Sequence, residues 1–400
     1  MFSQTFMLKN IASTVFSHYT SQVIALITNI LLARYLGGEG FGEYTLISSV
    51  FLIGNAFTTF GMDMILIRIL ASKSDPFLLG DGLLVQLFLS ALYIAGVFLF
   101  DFFSPVPYSL KVYVFSLIPL AFYTIFTIVV RSQQKMQVYA IAQFLISFFQ
   151  FIAVIVFTFI NGNINTLSYF FLFSYALIAV WGYAFYTSSF VQIKFSFRNM
   201  LMLMRDCLKM AAIGTVRLIY EKIVATLLPG LVGLANTGIF SIAWRLMSSG
   251  KLGYFSAFTA IYPAMAKDVE MGRKMKGLVP LLGTSIVFSL LLQLLAKPII
   301  LVLFGVEFLP STLSLQIMAW SIVPYVLITY ITLGLAALEL ERPILISAVL
   351  GLIALLVLLI PLTTQFGITG SAIAVLGAEV FYAGVIWLQW RKHVLSKLPG

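Results

Sequence analysis

The chain has 400 residues, of which 61% are hydrophobic and 10% charged, with 24 lysines and arginines against 14 acids. Soluble domains carry about 25% charged and 45–50% apolar residues, so a water-soluble globular protein is excluded. The apolar excess covers the whole length, which also excludes a soluble enzyme with a single anchor. The apolar runs are continuous rather than alternating, so they predict membrane helices and not a β-barrel. A lone cysteine, Cys207, and two histidines leave no internal disulfide and no cysteine or histidine metal cage.

In chain order, a window of about 19 residues predicts twelve spans in an all-α polytopic bundle. They fall at 11–34, 42–66, 78–102, 110–130, 139–160, 166–189, 207–230, 238–263, 278–304, 312–336, 344–362 and 367–390. The first apolar run lacks a small-residue cleavage pattern and is expected to be a retained span rather than a signal peptide. Connections are short. The longest polar stretch, Gln192 to Lys209, is too small for a catalytic domain.

Charge orients the spans. Seventeen lysines and arginines, from Lys9 and Arg68 to Arg391, Lys392 and Lys397, fall on the side that carries both termini. Only Arg34, Lys111 and Lys297 fall on the other side, and four of the 24 lie within spans. The positive-inside rule makes the termini cytoplasmic. The net +10 is therefore mostly a topology signal, and no nucleic-acid partner is expected.

The chain also repeats itself. Leu36-Gly37, Gly42, Tyr44 and Thr45 are echoed 196 positions later by Val232-Gly233, Gly238, Phe240 and Ser241. A second echo joins Gln134-Lys135 to Glu341-Arg342 at an offset of 207. Together they predict two six-span lobes, 1–195 and 196–400, related by a pseudo-twofold along the membrane normal. Parallel repeats of this kind place a substrate path between two lobes, an arrangement suited to alternating access.

Ionisable side chains at mid-bilayer cost about 2.5–3.5 kcal/mol each on insertion scales, so each needs a partner, a cavity or a function. Span 7 carries Arg217, Glu221 and Lys222, span 8 Arg245 and Lys251, and span 12 Glu379, while His18, Arg34 and Asp63 belong to spans 1 and 2. Arg217 and Glu221 are i, i+4 and can pair, whereas Lys222 points about 140° away from Arg217. Snorkelling is the plain alternative for Arg34, Arg68 and Lys251. For His18 and for Glu379, beside Gly377 and Ala378, the plain alternative is a core polar contact. Within the spans, Arg217, Lys222, Arg245 and Lys251 outnumber Glu221 and Glu379, and such a surplus fits an anionic substrate such as a phosphate or diphosphate. Glu221, Glu379 and Asp63 are the ion-coupling candidates, with H+ or Na+ as the coupling ion and no other cofactor. Trp387 and Trp390 beside Arg391-Lys392 predict an interfacial anchor.

Enzyme motifs are missing. There is no G-x-x-x-x-G-K-[ST] loop, no D-x-D pair and no H-E-x-x-H, and Gly37 to Gly42 follows a membrane helix rather than a strand. A non-enzymatic transporter is expected.

The run Ala33-Arg34-Tyr35-Leu36-Gly37-Gly38-Glu39-Gly40-Phe41-Gly42-Glu43-Tyr44 resembles the signature after the first span of bacterial polysaccharide flippases. These belong to the multidrug/oligosaccharidyl-lipid/polysaccharide exporter superfamily. Gly61-Met62-Asp63 with Ile67-Arg68, Gly238 to Ala243, Phe304 to Phe308 and Phe366 to Ala374 extend the likeness over essentially all the chain. The resemblance implies a monomeric flippase of the bacterial inner membrane. Such a protein moves undecaprenyl-diphosphate-linked repeat units, of O-antigen or another surface polysaccharide, to the periplasmic leaflet beside the polymerase machinery. It implies a cationic cavity in which Arg34, Arg68, Arg217, Lys222, Arg245 and Lys251 meet the diphosphate or acidic sugars. Two departures from related patterns narrow this. Two further C-terminal helices of lipid II flippases are missing, and His18 stands where drug exporters carry an acid in span 1. A multidrug or lipid exporter of the same fold is the main alternative, and a membrane glycan polymerase or glycosyltransferase the third.

Overall fold

A computed structural model describes residues 4–72, 76–187, 197–267, 277–338 and 340–394. Lys73, Lys194, Arg273, Lys274, Lys276 and Lys397 of the orientation argument lie outside the described residues, as does the side chain of His18. All regular structure among the described residues is helical. The helices are α1 (Gln4–Thr59), α2 (Met62–Ser72), α3 (Pro76–Phe103), α4 (Tyr108–Val114), α5 (Leu117–Ser132), α6 (Met136–Phe159), α7 (Ile164–Gly182), α8 (Phe197–Lys267), α9 (Leu278–Leu303), α10 (Ser311–Ala319), α11 (Ile322–Ala337) and α12 (Glu341–His393). A π turn, Tyr183–Thr187, follows α7, and a 3₁₀ turn, Val306–Phe308, precedes α10.

Eight helices among the described residues are long and apolar enough to cross a membrane, and nine if the bent pair α10–α11 counts as one crossing. The expected twelve spans are therefore not twelve separate rods. Three of the eight hold two expected spans each and are broken by a glycine outside helical geometry. These are Gly37 in α1 (φ 65°), Gly233 in α8 (φ 83°) and Gly367 in α12 (φ 59°). Positive φ with extended ψ is strained for residues with a Cβ, so a glycine at each bend lets the chain turn without a loop. Gly37 and Gly233 are the first glycines of the 196-residue echo.

The chain divides into two compact units, one of 1–35 and 47–218, the other of 36–46 and 219–400. This differs from the expected boundary at 195/196 at both ends. The start of α8 belongs to the first unit because Met200, Leu203 and Cys207 recur at helical spacing on one buried face. They pack with Met62, Leu66, Leu83, Ile125 and Val129. In that unit α5 packs against α2, α3 and α7, and Phe51, Tyr113, Tyr175 and Phe171 form an aromatic chain with centroids 4.6–5.8 Å apart. Asp101 clips the turn after α3, accepting from the Val106 N–H and meeting Lys111 at 2.6 Å.

In the second unit α12 packs along α10 and α11, with Ile331, Leu335, Ile386 and Trp390 at its core. Trp390 is 1% exposed, which corrects its expected role as an interfacial anchor. It sits in the i+4 register of Ile386 and faces inward, while Trp387 is partly exposed. The bend at Gly367 is held by a Thr363–Ser371 hydroxyl pair at 2.8 Å. Residues 36–46 join this unit through a backbone crossing. A Cβ on Gly42 would fall on the Leu234 carbonyl, and one on Gly238 on the Gly38 carbonyl. Gly42→Ala or Gly238→Ala should therefore cost about 1–3 kcal/mol by overpacking. Gly96→Ala, whose Cβ would meet nothing within 4 Å, should be neutral. Scanning fluorimetry in detergent checks this, and equal unfolding temperatures for all three would remove the close-approach argument.

Candidate functional site

In the second unit, α8 and α12 bring five charged side chains of the expected set into mutual range. Lys222 lies within Coulomb range of Glu221 and Arg245, and Glu379 within that of Lys251 and Glu221. These five are three cations and two acids. The expected surplus of positive charge in this cluster is thus one.

The two deeper cations are met differently. Lys251 donates to Glu379 and lies 5.0 Å from the Tyr325 ring centroid, with side-chain exposures of 13% for the lysine and 5% for the glutamate. Removing one member of a buried ion pair leaves an unmatched charge, whereas the pair itself is tolerated in a low-dielectric interior. The second carboxylate oxygen of Glu379 and the hydroxyl of Tyr220 are buried without a hydrogen-bond partner among the described residues. Tyr220 packs edge-on to Tyr382 at 6.0 Å.

Among the described residues, no carboxylate forms an ion pair with Arg245. Its guanidinium lies 5.2 Å from the Phe41 ring centroid and 5.5 Å from that of Tyr44, and it donates to the Tyr44 hydroxyl. Cation–π contacts contribute about 0.5–2 kcal/mol, less than a charge-assisted fork to an anion. Phe41 in turn sits 6.2 Å from Phe308, and the neighbouring Glu307 accepts from the Gly38 N–H at 2.6 Å. That carboxylate caps the helix that restarts after Gly37, where the partial positive end of the dipole favours an anion.

The remaining expected residues fall in the first unit. Arg34, Arg68 and Arg217 are exposed, on α1, α2 and α8. Asp63, in the first turn of α2, lies 3.9 Å from Arg131, which also stacks over Tyr139 at 5.4 Å. Two polar side chains of the same unit bond locally, Asn29 donating to the Ala25 carbonyl and Gln143 to the Tyr139 hydroxyl. No cluster of three or more potential metal ligands occurs among the described residues.

Phe41, Tyr44, Glu307, Tyr220 and Tyr325 escaped the sequence reading. The first two stood inside the glycine-rich run, but their partner Arg245 is about two hundred positions away, and spacing gives no signal over that distance. An apolar recess of ≈ 540 Å³ is lined by Leu278, Leu282, Leu327, Val380, Ala383, Gly384 and Trp387, with no charged side chain among them. Glu379→Ala should destabilise the protein by roughly 3–5 kcal/mol through the orphaned Lys251. The double variant Lys251→Met/Glu379→Leu should recover most of that. Thermal unfolding of the three proteins checks it, and additive losses would sink the pairing argument.

Comparisons with known proteins agree on the fold. A lipid II flippase, MurJ, in an inward closed conformation superimposes with a TM-score of 0.78 at 15% identity, over 94% of this chain and 87% of that one. An inward-facing multidrug resistance MATE family transporter of the MOP superfamily gives 0.76 at 13% identity, over 94% and 95%. A MOP superfamily transporter from Pyrococcus furiosus, described as having a binding pocket of reverse polarity, gives 0.70 at 12%, over 98% and 96%. No curated protein sequence matches the chain. The polysaccharide biosynthesis protein family model matches residues 7–268, more than half of the length, and the chain belongs to that family.

Proposed function

We propose that this protein is a flippase that carries an undecaprenyl-diphosphate-linked oligosaccharide repeat unit from the cytoplasmic to the periplasmic leaflet. The single observation that carries the reading is Arg245. It is a half-buried guanidinium matched by aromatic rings and a phenol instead of a carboxylate, with Lys222 in range. An arginine held this way can present its fork to a phosphate. Glu379, the buried acid that a cation exporter would need free, already holds Lys251, and this disfavours the multidrug alternative.

The architecture we propose has twelve crossings, six per sequence repeat, in lobes 1–195 and 196–400. Dividing Tyr19–Thr59, Gly214–Tyr254 and Glu341–His393 at their glycines makes eleven crossings, and the bent α10–α11 pair makes twelve. The shared backbone break at Gly37 and Gly233 supports the duplication. Both termini are placed in the cytoplasm of a bacterial inner membrane, on the positive-inside argument. In this reading the head group enters a wet cationic cleft while the polyprenyl tail stays in lipid. Arg34, Arg68, Arg217, Lys222 and Arg245 are its proposed contacts, whereas Lys251, also of the expected set, reaches the head group only when Glu379 lets it go. Glu221, Glu379 and Asp63 remain the proposed ion-coupling groups, for H+ or Na+. The protein is proposed to work as a monomer beside the polysaccharide polymerase machinery.

Single replacement of Arg245 or Lys222 by alanine should lower surface-glycan display at matched protein abundance roughly ten- to a hundredfold, the equivalent of about 1.5–3 kcal/mol for a hydrogen bond to a charged group. Arg68→Ala should have the smaller effect of an exposed cation. Full display in the Arg245 and Lys222 variants would overturn the cationic-cleft reading.

A further inference from the structure

The apolar recess of ≈ 540 Å³ takes no part in the charged cluster, and its place in the second unit suits a different ligand. There α11 packs against both α9 and α12. Leu327 of α11 belongs to two apolar seams, one with Leu278 and Leu282 of α9, the other with Ile386 and Trp390 of α12. The recess is the gap between these seams. Leu278 and Leu282 form one wall, and Val380, Gly384 and Trp387 the other. A Cβ on Gly384 would meet nothing within 4 Å, so α12 leaves this space open instead of filling it.

Helical phase sets the polar end. Val380, Gly384, Trp387 and Arg391 fall at i, i+4, i+7 and i+11, on one face of α12. At 1.5 Å per residue the stripe from Val380 to Arg391 is about 16 Å long, close to half of the ~30 Å hydrocarbon core of a bilayer. Leu278 is the first residue of α9 and Arg391 lies in the last turn of α12, so the recess opens where α9 begins and α12 ends. Arg391 is exposed, and Lys392 and His393 share its turn. Neither α9 nor α12 beyond Glu379 carries an acid, and Glu379 itself is buried with Lys251.

We propose that the recess binds one acyl chain of a glycerophospholipid with an anionic head group, taken from the leaflet at the Arg391 end, with its phosphate at Arg391. The inference needs only the membrane architecture and stands apart from the substrate assigned above. A gap along an apolar wall forfeits dispersion contacts, which a chain lying in it recovers. Its volume falls in the range of about 300–1,000 Å³ usual for small-ligand sites. The depth of one leaflet suits a phospholipid chain, whereas an undecaprenyl tail, several times longer when extended, overruns it. Trp387, between the recess and Arg391, brings an indole N–H, the donor that places tryptophan at head-group level. An arginine can meet a phosphate through two parallel bonds, and one basic side chain at the membrane surface favours anionic lipid about fivefold.

The test uses full-length protein in nanodiscs and reads quenching of tryptophan fluorescence by brominated acyl chains. The Trp387 signal is the difference between the unmodified protein and Trp387→Phe. In an equal mixture of phosphatidylglycerol and phosphatidylcholine, bromine on the glycerol lipid should quench that signal about fivefold more than bromine on the choline lipid. Arg391→Gln should bring the two values together, and Gly384→Leu, which fills the recess, should lower both. Equal quenching in the unmodified protein means ordinary surface lipid only and overturns the site. Quenching by neither lipid means that protein covers the recess, and overturns it too. If undecaprenyl phosphate added at one molecule per chain abolishes the phosphatidylglycerol signal, the recess belongs to the polyprenyl tail and the phospholipid assignment falls. Should Gly384→Leu fail to fold, native mass spectrometry of the unmodified protein takes its place. One phosphatidylglycerol retained per chain is expected there, and none retained overturns the proposal. These outcomes do not involve Arg245, so failure here leaves the flippase reading intact.

Discussion

A charge carried into an apolar interior must be met, and the way each is met decides what it remains able to do. In the second unit Glu379 claims Lys251 through one carboxylate oxygen, which leaves that cation little to offer a ligand. Arg245 is met by two rings and a phenol, which lower the cost of its burial without cancelling its charge. The same stretch of α8 thus holds one cation locked and one still able to bind. Had an acid stood at Tyr44, the chemistry left for an anionic substrate would have gone with it.

Glycine makes that arrangement possible. The turns at Gly37 and Gly233 need a backbone that a Cβ-bearing residue resists, and they let a helix end and restart within one residue. After Gly37 the chain enters the second unit for only eleven residues, 36–46, before it returns to the first. Without so tight a turn, Phe41 and Tyr44 would stand on a connecting loop, where ring faces are poorly fixed against a guanidinium.

Local and periodic features were legible in the sequence. The membrane class follows from composition, the breaks near 37 and 233 from the echoed glycines, and the surplus of basic residues in α8 from inspection. The buried face of early α8 was legible too, in the spacing of Met200, Leu203 and Cys207, but the surrounding polar residues made 192–209 read as a connector. Partners were not legible. Lys251 and Glu379 are 128 positions apart, and no period connects them. Trp390 shows the limit of compositional analogy. A tryptophan next to Arg391 and Lys392 has the flanks of an interface anchor, yet helical phase turns its ring toward Ile386 and the core.

The crossing at Gly42 and Gly238 has an evolutionary consequence. Each missing side chain is replaced by main chain of the opposite helix, so neither residue has a smaller neighbour that could yield room. A mutation at one position finds no compensating mutation at the other, since both are already at the lower limit of size. Drift there is blocked in both directions, and lineages that keep this crossing are expected to keep both glycines or lose them in one concerted backbone rearrangement.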